Sequence, residues 1–285
     1  MTRVLVTGAS GMLGSAVIRS FAGKPDFEVY GTARSPHVAR FFDESIASRL
    51  LTGYDLVNQD DLAILFERAR PDIVIHCAGL VKQLAESDDA LRAIPVNALL
   101  PHRVARLCQI AGARLIHVST YCVFSGKSGG YTEADEPDAL DLYGRSKLLG
   151  EVAGSHAVTL RTSIIGHELE GSRSLINWFL SQTGDVKGFT RAIFSGLPTV
   201  ELARVIQAHV IPDRSLQGLY HVSADPISKH DLLTLVARIY GKTVQIHPDD
   251  TYAIDRSLDS SRFREATGYQ PPAWPELVRR MRESH

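Results

Sequence analysis

Residues 3–14, RVLVTGASGMLG, decide the fold. An apolar, strand-like stretch runs directly into Gly8, Gly11 and Gly14, which are spaced GxxGxxG. Glycine permits a tight turn and lets the backbone approach a phosphate, and a helix beginning there presents its positive N-terminal end to that phosphate. The segment therefore predicts a strand, a dinucleotide-binding loop and a helix, with Ser10 as an added hydroxyl donor.

The helix predicted after this loop begins near Met12, so Met12, Leu13 and Gly14 form its first turn. Gly14 is small enough for the helix to pack closely on the strand. Glycine turns between a strand and a helix also occur for structural reasons alone, and three glycines by themselves are weak evidence. Their position directly after a buried strand favours a bound pyrophosphate.

Short β-rich runs alternate with longer amphipathic stretches through the first half of the chain. The predicted strands are RVLVTGA, FEVYGTA, SRLLTGYD, DIVIHCA, ARLIHVST and AVTLRTS. Nearly continuous apolar strands separated by helices are typical of a parallel sheet that is covered on both faces. We predict a doubly wound α/β domain of the Rossmann type over residues 1–163, which binds the dinucleotide.

Beyond residue 163 the alternation of apolar strands and amphipathic helices becomes less regular. Helices are predicted at SLINWFLSQ, VELARVIQAHVI and SKHDLLTLVARIY, with one strand at GLYHVS. Residues 164–285 are therefore predicted to form a smaller substrate-binding portion, with some segments returning to the Rossmann domain. Ligands of doubly wound folds lie beyond the carboxyl ends of the strands, so we expect the active site in that crevice.

The bulk composition excludes several classes of function. A net charge of −1 and a pI near 6.8 give no general reason to bind nucleic acid or an anionic membrane. No export signal and no run of roughly 20 apolar residues is present, so we expect a cytoplasmic protein with a small-molecule partner.

Cys77, Cys108 and Cys122 are expected to be reduced core thiols. Metal binding is not expected, and a homodimer stays open.

The choice of dinucleotide depends on the end of the second predicted strand. Arg34 lies twenty residues after Gly14, where an acidic residue would ordinarily accept the ribose hydroxyls of NAD. A guanidinium offers a fork of donors to the extra phosphate of NADPH, and no carboxylate repels that phosphate. We therefore expect NADPH to be preferred, while NADH remains usable if Arg34 is only a solvated loop charge.

Two further strand ends face the same crevice. Asp55 and Leu56 end the third predicted strand, where the carboxylate could accept a hydrogen bond from the adenine amine. Residues 77–79, Cys-Ala-Gly, end the fourth and let a dinucleotide lie across them, although small residues there could equally serve sheet packing. His76, on the strand itself, is predicted to be a satisfied core histidine.

Tyr143 and Lys147 are four residues apart in a predicted helix, so their side chains share one face. A nearby ammonium favours ionisation of a phenol, whose pKa is otherwise about 10, and it could also hold the ribose hydroxyls. YxxxK alone is common on solvated helices, but Thr120 closes the fifth predicted strand, where a hydroxyl could polarise a carbonyl. The three residues suit proton transfer to a carbonyl oxygen during hydride transfer from a nicotinamide.

Five segments resemble the extended short-chain dehydrogenase/reductase family, and within it most of all the dTDP-4-dehydrorhamnose reductases. They are TGASGMLG, VNALLPHRVARLC, HVSTYCVFSG, GGYTEADEPDALDLYGRSKLLGE and LRTSIIG. The resemblance implies NADPH-dependent reduction of the C4 keto group of a nucleotide-linked 4-keto-6-deoxyhexose, for surface polysaccharide. It assigns Thr120, Tyr143 and Lys147 to catalysis. The cofactor residues that it implies are Gly8, Ser10, Gly11, Met12, Leu13, Gly14, Arg34, Asp55, Leu56, Cys77, Ala78, Gly79, Tyr143, Lys147, Thr162 and Ser163.

The chain departs from the pattern of the rhamnose enzymes in the predicted sugar pocket. Tyr121 and Cys122 stand where those enzymes have Asp and Tyr, and Ile164 replaces a tryptophan. The exact sugar is therefore open, and a UDP-linked N-acetylated sugar is an equal alternative. The candidate substrate residues are Lys82, Tyr121, Cys122, His167 and Arg191.

Three other functions are found on similar scaffolds. Sugar-nucleotide dehydratases carry an Asp-Glu pair after the threonine, and Tyr121 and Cys122 cannot do that acid-base work. A 4-epimerase retains NAD and usually has an acidic residue where Arg34 stands. A non-catalytic NADP-binding protein is the remaining alternative, because the fold also resembles the regulatory subunit of methionine adenosyltransferase. The intact threonine, tyrosine and lysine argue against that alternative.

Overall fold

The computed structural model describes residues 1–82 and 85–284, which divide into two compact units. Both units are assembled from separate stretches of the chain. The first contains Met1–Ser119, Leu140–Leu160 and Asp213–Leu219, and the second contains Thr120–Ala139, Arg161–Pro212 and the chain from Tyr220 onward.

The strands and helices alternate through the first unit, and the strands are mostly shorter in the second. The strands are β1 (Thr2–Thr7), β2 (Phe27–Ala33), β3 (Leu50–Thr52), β4 (Ile73–His76), β5 (Arg114–Thr120), β6 (Ala157–Thr162), β7 (Ile164–Ile165), β8 (Val186–Phe189), β9 (Ala192–Phe194), β10 (Leu197–Pro198), β11 (Gly218–His221), β12 (Ile227–Ser228), β13 (Ile246–Asp249) and β14 (Ile254–Asp255). The α-helices are α1 (Met12–Phe21), α2 (Glu44–Ala47), α3 (Gln59–Ala69), α4 (Ala90–Ala93), α5 (Leu100–Ala111), α6 (Leu142–Leu149), α7 (Leu175–Ser181), α8 (Thr199–Val205), α9 (Lys229–Tyr240), α10 (Ser261–Thr267) and α11 (Trp274–Glu283).

The central sheet has seven strands in the order β11-β6-β5-β4-β1-β2-β3, and it is parallel. The chain starts in the middle at β1, moves outward through β2 and β3, and returns to β4 on the other side of β1. This reversal is the switch point of a doubly wound fold, beside which nucleotides bind. The predicted fold class is confirmed.

Helices cover the sheet through one apolar stripe each. In α1 the buried residues include Leu13, Val17 and Phe21, four residues apart, which places them on one face. In α5, Leu100, Val104 and Cys108 repeat the same spacing and join the core cluster. Cys108 and Cys122 are buried and Cys77 is half-buried, and the expectation that all three are reduced stays a prediction.

The third strand is shorter than predicted. β3 contains Leu50–Thr52 only, and Gly53 follows with φ of +87°, a conformation that L side chains rarely adopt. The prediction that Asp55 ends this strand is therefore wrong by three residues. The glycine turns the chain out of the sheet first, and Asp55 lies in the loop that leads to α3.

The second unit contains three small sheets and its own core. β7 pairs with β10, β8 with β13, and β9 lies between β12 and β14. Phe124 stacks on Tyr131 with ring centroids 4.2 Å apart, and the Arg161 guanidinium lies over the Phe124 ring, 5.3 Å from its centroid. These short elements are held by side-chain packing more than by long hydrogen-bonded ladders.

The helices seen in residues 1–82 and 85–284 are all too short or too polar to cross a membrane. The division at residue 163 stays a prediction, since the two compact units interleave along the chain.

Candidate active site

A cavity of about 190 Å³ lies in the first unit at the carboxyl ends of its strands. It gathers residues that are far apart in sequence but were all predicted to bind the cofactor. Those predicted residues are Gly8, Ser10, Gly11, Arg34, Asp55, Leu56, Cys77, Ala78 and Gly79. The lining residues that the sequence reasoning missed are Thr32, Ala33, Tyr54, Val57, Leu80, Val96 and Leu100. Thr32 and Ala33 could have been found, because they are the last residues of β2 directly before Arg34.

Tight backbone packing leaves no room for side chains at two glycines of the loop. Gly8 has φ of +76°, and a Cβ there would lie 2.9 Å from the Ala78 Cα. A Cβ on Gly14 would collide with the Gly8 carbonyl oxygen, so α1 could not start so close to the loop. The Gly8 backbone N–H donates to Thr32 Oγ1 over 3.3 Å, which ties the loop to β2. Met12, Leu13 and Gly14 occupy the first turn of α1, as predicted.

Arg34 and Asp55 both line this cavity but differ in their hydrogen bonds. Arg34 is exposed, so its guanidinium is available to an anionic ligand. Asp55 Oδ1 accepts a hydrogen bond from the Val57 N–H over 3.0 Å, while the Asp55 N–H donates to Asp61 over 2.8 Å. Asp55 therefore also shapes its own loop, and its contact with adenine remains a prediction.

Tyr143 and Lys147 lie on α6, as predicted, one turn apart. The N-cap residue Asp141 accepts from the Gly144 N–H over 2.7 Å, a cap that stabilises a helix by about 1 kcal/mol. The Lys147 side chain is almost fully buried, and its Nζ donates to the Val118 carbonyl over 3.1 Å. The cap and this hydrogen bond fix the helix face that carries the pair.

Burial lowers the pKa of Lys147 to about 8, against the opposing influence of the Glu151 carboxylate and Cys77. Glu151 is held in turn by Ser119, whose hydroxyl donates to its carboxylate over 2.7 Å. The ammonium is therefore close to its titration point at neutral to mildly alkaline pH, which is the range in which a lysine can tune a neighbouring phenol.

His76 and His117 form a stacked pair on β4 and β5, with ring centroids 5.4 Å apart. His76 Nδ1 lies 2.7 Å from the Thr7 hydroxyl, whereas His76 Nε2 and both ring nitrogens of His117 lack a partner within the residues described. The prediction of a fully satisfied His76 is therefore wrong for one nitrogen, because the strand register sets the two rings against each other. Burial, helped by Lys147, lowers the pKa of His76 to about 3, so the ring stays neutral.

Thr120 is the last residue of β5 and the first of the second unit. Its hydroxyl oxygen accepts from the Cys122 N–H over 3.1 Å and caps the short turn Tyr121–Val123. Tyr121 packs edge-on against Phe194 with centroids 6.4 Å apart, and it shares a hydrogen bond with Ser163. Burial raises the pKa of Tyr121 to about 12, so its hydroxyl is neutral and able to donate.

The remaining candidate substrate residues are distributed over both units. Lys82 belongs to the first unit and makes an exposed ion pair with Asp141 over 2.6 Å. In the second unit, His167 Nε2 lies 2.8 Å from the Tyr240 hydroxyl, and Arg191 is exposed just before β9. Thr162 is buried at the end of β6, next to Ser163. Their contacts with substrate or cofactor remain predictions.

Comparison with known proteins gives a consistent family. The family model described as RmlD substrate binding domain matches residues 1–284. A dTDP-4-dehydrorhamnose reductase of Aggregatibacter actinomycetemcomitans is 24% identical, covering 99% of this chain and 99% of its own. The methionine adenosyltransferase 2 subunit beta of Danio rerio is 29% identical over 82% of this chain and 73% of its own.

Among solved structures, a Bacillus anthracis dTDP-4-dehydrorhamnose reductase in complex with NADP matches with a TM-score of 0.81 and 25% identity. The match covers 99% of both chains, so it includes the second unit as well as the sheet. The chain therefore belongs to the RmlD substrate binding domain family, within the extended short-chain dehydrogenase/reductases.

Proposed function

We propose that this protein uses NADPH to reduce the C4 keto group of a nucleotide-linked 4-keto-6-deoxyhexose. The coarser class follows from the family, and the chain is an NAD(P)-dependent oxidoreductase that uses NADP. The observation that carries the proposal is the pair on α6. Tyr143 stands one helical turn before Lys147, whose buried ammonium is held on the Val118 carbonyl.

Each residue of the chain has a defined task in this proposal. Tyr143 donates a proton to the carbonyl oxygen of the sugar, and the Lys147 ammonium favours the phenolate that remains. Thr120 donates a hydrogen bond to the same carbonyl oxygen and so polarises the carbonyl. Bound NADPH supplies the hydride that the carbonyl carbon receives.

The residues proposed to hold NADPH are those of the cavity in the first unit. Gly8 and Gly11 line the cavity at the start of α1, whose N-terminal N–H groups attract the negative charge of the pyrophosphate. Arg34 faces solvent at the rim, where its guanidinium suits the 2′-phosphate. Asp55 and residues 77–79 are proposed to hold the adenine and the nicotinamide half, and Thr162 and Ser163 to lie near the nicotinamide.

The sugar is proposed at the level of its class. Relatives named dTDP-4-dehydrorhamnose reductase support a nucleotide-linked keto sugar. A role in polysaccharide synthesis is supported by a Bacillus subtilis relative named spore coat polysaccharide biosynthesis protein SpsK. Tyr121, Cys122 and Ile164 depart from the pattern of those enzymes, so dTDP and UDP carriers, and N-acetylated sugars, belong to the same proposal. Residues 164–285 are proposed to supply most of the contacts with this sugar.

A second candidate function is a non-catalytic subunit that binds NADP. It is supported by the Danio rerio relative, whose identity to this chain exceeds that of the Aggregatibacter reductase. The presence of Thr120, Tyr143 and Lys147 favours the reductase, because a protein that only binds NADP has no use for a proton donor. A 4-epimerase is less well supported, since Arg34 occupies the position of its usual acidic residue.

One assay separates these functions. The protein is incubated with NADPH and a panel of 4-keto-6-deoxy sugars carried on dTDP or UDP, and absorbance of the reduced cofactor is followed. We expect NADPH to be consumed with at least one sugar. NADPH binding without turnover of any sugar would instead support the non-catalytic subunit, and interconversion of 4-hydroxy sugars without net NADPH loss would indicate an epimerase.

A further inference from the structure

We propose that Lys229 and Arg256 form an oxyanion-binding subsite in the second unit, beside the turn that follows Thr120. Its ligand would be a phosphate or carboxylate group of the sugar nucleotide. The ligand class rests on the proposed function, but the subsite can be tested by binding alone, without turnover.

The small sheet of β12, β9 and β14 places the two cations on the two sides of one strand. Lys229 directly follows Ser228 on β12, and Arg256 directly follows Asp255 on β14. Ser228 and Asp255 both pair with Ile193, on opposite sides of β9. Two residues separated by most of a helix and two strands are therefore placed on either side of the same strand.

Arg256 is anchored to the turn after the predicted catalytic threonine. Its Nε donates to the Phe124 carbonyl over 2.7 Å, which fixes one edge of the half-buried guanidinium. Within residues 1–82 and 85–284, no hydrogen bond or ion pair engages its two terminal nitrogens. A guanidinium held by one edge presents its remaining planar fork to a ligand, and that fork matches a phosphate or a carboxylate.

Lys229 is half-buried and has no hydrogen-bond or ion-pair partner in the part of the chain that the structure describes. Burial lowers the pKa of Lys229, Cys122 opposes this effect, and the positive charge of Arg256 adds a smaller lowering of the same pKa. Repulsion between two cations in a partly desolvated environment costs free energy unless a bound anion compensates the charge. Such a local conflict is expected at a functional site, where a ligand resolves it.

The surroundings connect this subsite with the sugar. Tyr121 stands between Thr120 and Cys122 in the chain, and its ring packs on Phe194, the last residue of β9. Arg256 acts electrostatically on the Tyr121 phenol, so the guanidinium lies near the side chain that follows Thr120. Two oxyanions of a sugar nucleotide meet this description, the diphosphate and a carboxylate carried on the sugar.

The test measures binding to Lys229→Met, Arg256→Gln and the double variant by calorimetry. The ligands are dTDP, dTDP-glucose and dTDP-glucuronic acid, with the matching UDP series. Arg238→Gln is the matched control, because Arg238 is an exposed cation on the same helix as Lys229. NADPH affinity, which depends on the first unit, checks that each variant is folded.

We expect each single variant to weaken binding about tenfold or more, the usual size of a charge-assisted hydrogen bond, and added salt to weaken wild-type binding. Loss of affinity for all three ligands of a series supports contact with the diphosphate. Loss confined to the glucuronic acid derivative supports contact with a sugar carboxylate. Unchanged affinities, effects equal to those of Arg238→Gln, or a wild-type protein that binds none of the ligands would overturn the subsite.

This outcome is distinct from that of the proposed reduction. If the wild-type protein binds sugar nucleotides through Lys229 and Arg256 but consumes no NADPH, the subsite is supported and the proposed reduction is contradicted. If the wild-type protein reduces a keto sugar and both variants bind and react like wild type, the proposed reduction is supported and the subsite is contradicted.

Discussion

The two units of this protein use polar groups in opposite ways. In the first unit, the Lys147 ammonium is buried, held on a backbone carbonyl and influenced by the Glu151 carboxylate. In the second unit, Lys229 and Arg256 are half-buried and repel each other, with no carboxylate in an ion pair with either within the described residues. The first arrangement is complete within the protein, whereas the second needs an outside group to complete it.

This difference separates the chemistry from the choice of substrate. A self-sufficient arrangement suits a proton donor and its tuning cation, which must act on every substrate in the same way. An arrangement that lacks its counter-charge suits recognition, because the ligand supplies what the protein leaves out. Changes in the first unit should therefore alter the rate with every sugar, and changes in the second should alter which sugar is used.

The largest effect is expected for Tyr143→Phe. Removing the proposed proton donor should lower kcat by roughly two to four orders of magnitude with every sugar tested. NADPH affinity should stay within a few-fold, because the ring remains. Steady-state rates and NADPH titration measure the two quantities. A variant that keeps wild-type kcat would show that another group is the acid.

Arg34→Gln should come next in size. Losing a charge-assisted contact with the 2′-phosphate should lower kcat/KM for NADPH by about ten- to a hundredfold, while kcat/KM for NADH stays nearly constant. Measuring both cofactors with the same sugar checks the prediction. Equal losses with both cofactors would indicate that Arg34 only supports the loop.

The pH dependence of the reaction should reflect the titration of Lys147. Its ammonium is present below its folded pKa of about 8, so kcat/KM should fall as pH rises through that value, by up to about tenfold per unit. The folded pKa lies below the unfolded value, so the unfolded chain binds more protons above pH 8. Unfolding free energy should therefore rise with pH across the same range in which activity falls. Rates that stay flat to pH 10 would contradict the role of the ammonium.

A smaller effect is expected in the second unit for Tyr121→Phe. The ring packing on Phe194 is kept, and the hydroxyl that interacts with Ser163 is lost. We expect KM to rise about fivefold for some sugars and little for others, as for one neutral hydrogen bond. KM for NADPH should not change. A uniform fall in kcat with all sugars would place Tyr121 in the chemistry and blur the distinction between the units.

The smallest effect is expected for Glu151→Gln. The amide oxygen can still accept from Ser119, but the negative charge that raises the pKa of Lys147 is gone. The alkaline fall in activity should therefore begin at a lower pH, with little change in kcat on its plateau. A pH profile of the variant beside wild type measures the shift, and a shift to higher pH would contradict the assigned influence of Glu151.

The sheet and the cofactor cavity could be predicted because their causes are local. Apolar strands, the GxxGxxG spacing and the helical spacing of Tyr143 and Lys147 are each contained in short stretches of sequence. The end of β3 was predicted too late, because Gly53 reads as an ordinary loop residue until its backbone angle is known. The placement of Lys229 and Arg256 could not be foreseen, since only the pairing of β12 and β14 with β9 sets them on the two sides of one strand. His117 escaped notice for the same reason, as it meets His76 through strand register.

The edge strand β11 has a consequence for how the protein is made. β6 is followed by a long excursion through the second unit before the chain returns at Asp213–Leu219 to add β11 beside it. During synthesis the edge of β6 remains unpaired until the ribosome has passed Gly218 and β11 can form. An unpaired strand edge can pair with other chains. A fragment that stops at residue 163 would keep that edge permanently, so the cofactor domain should not be obtained by simple truncation.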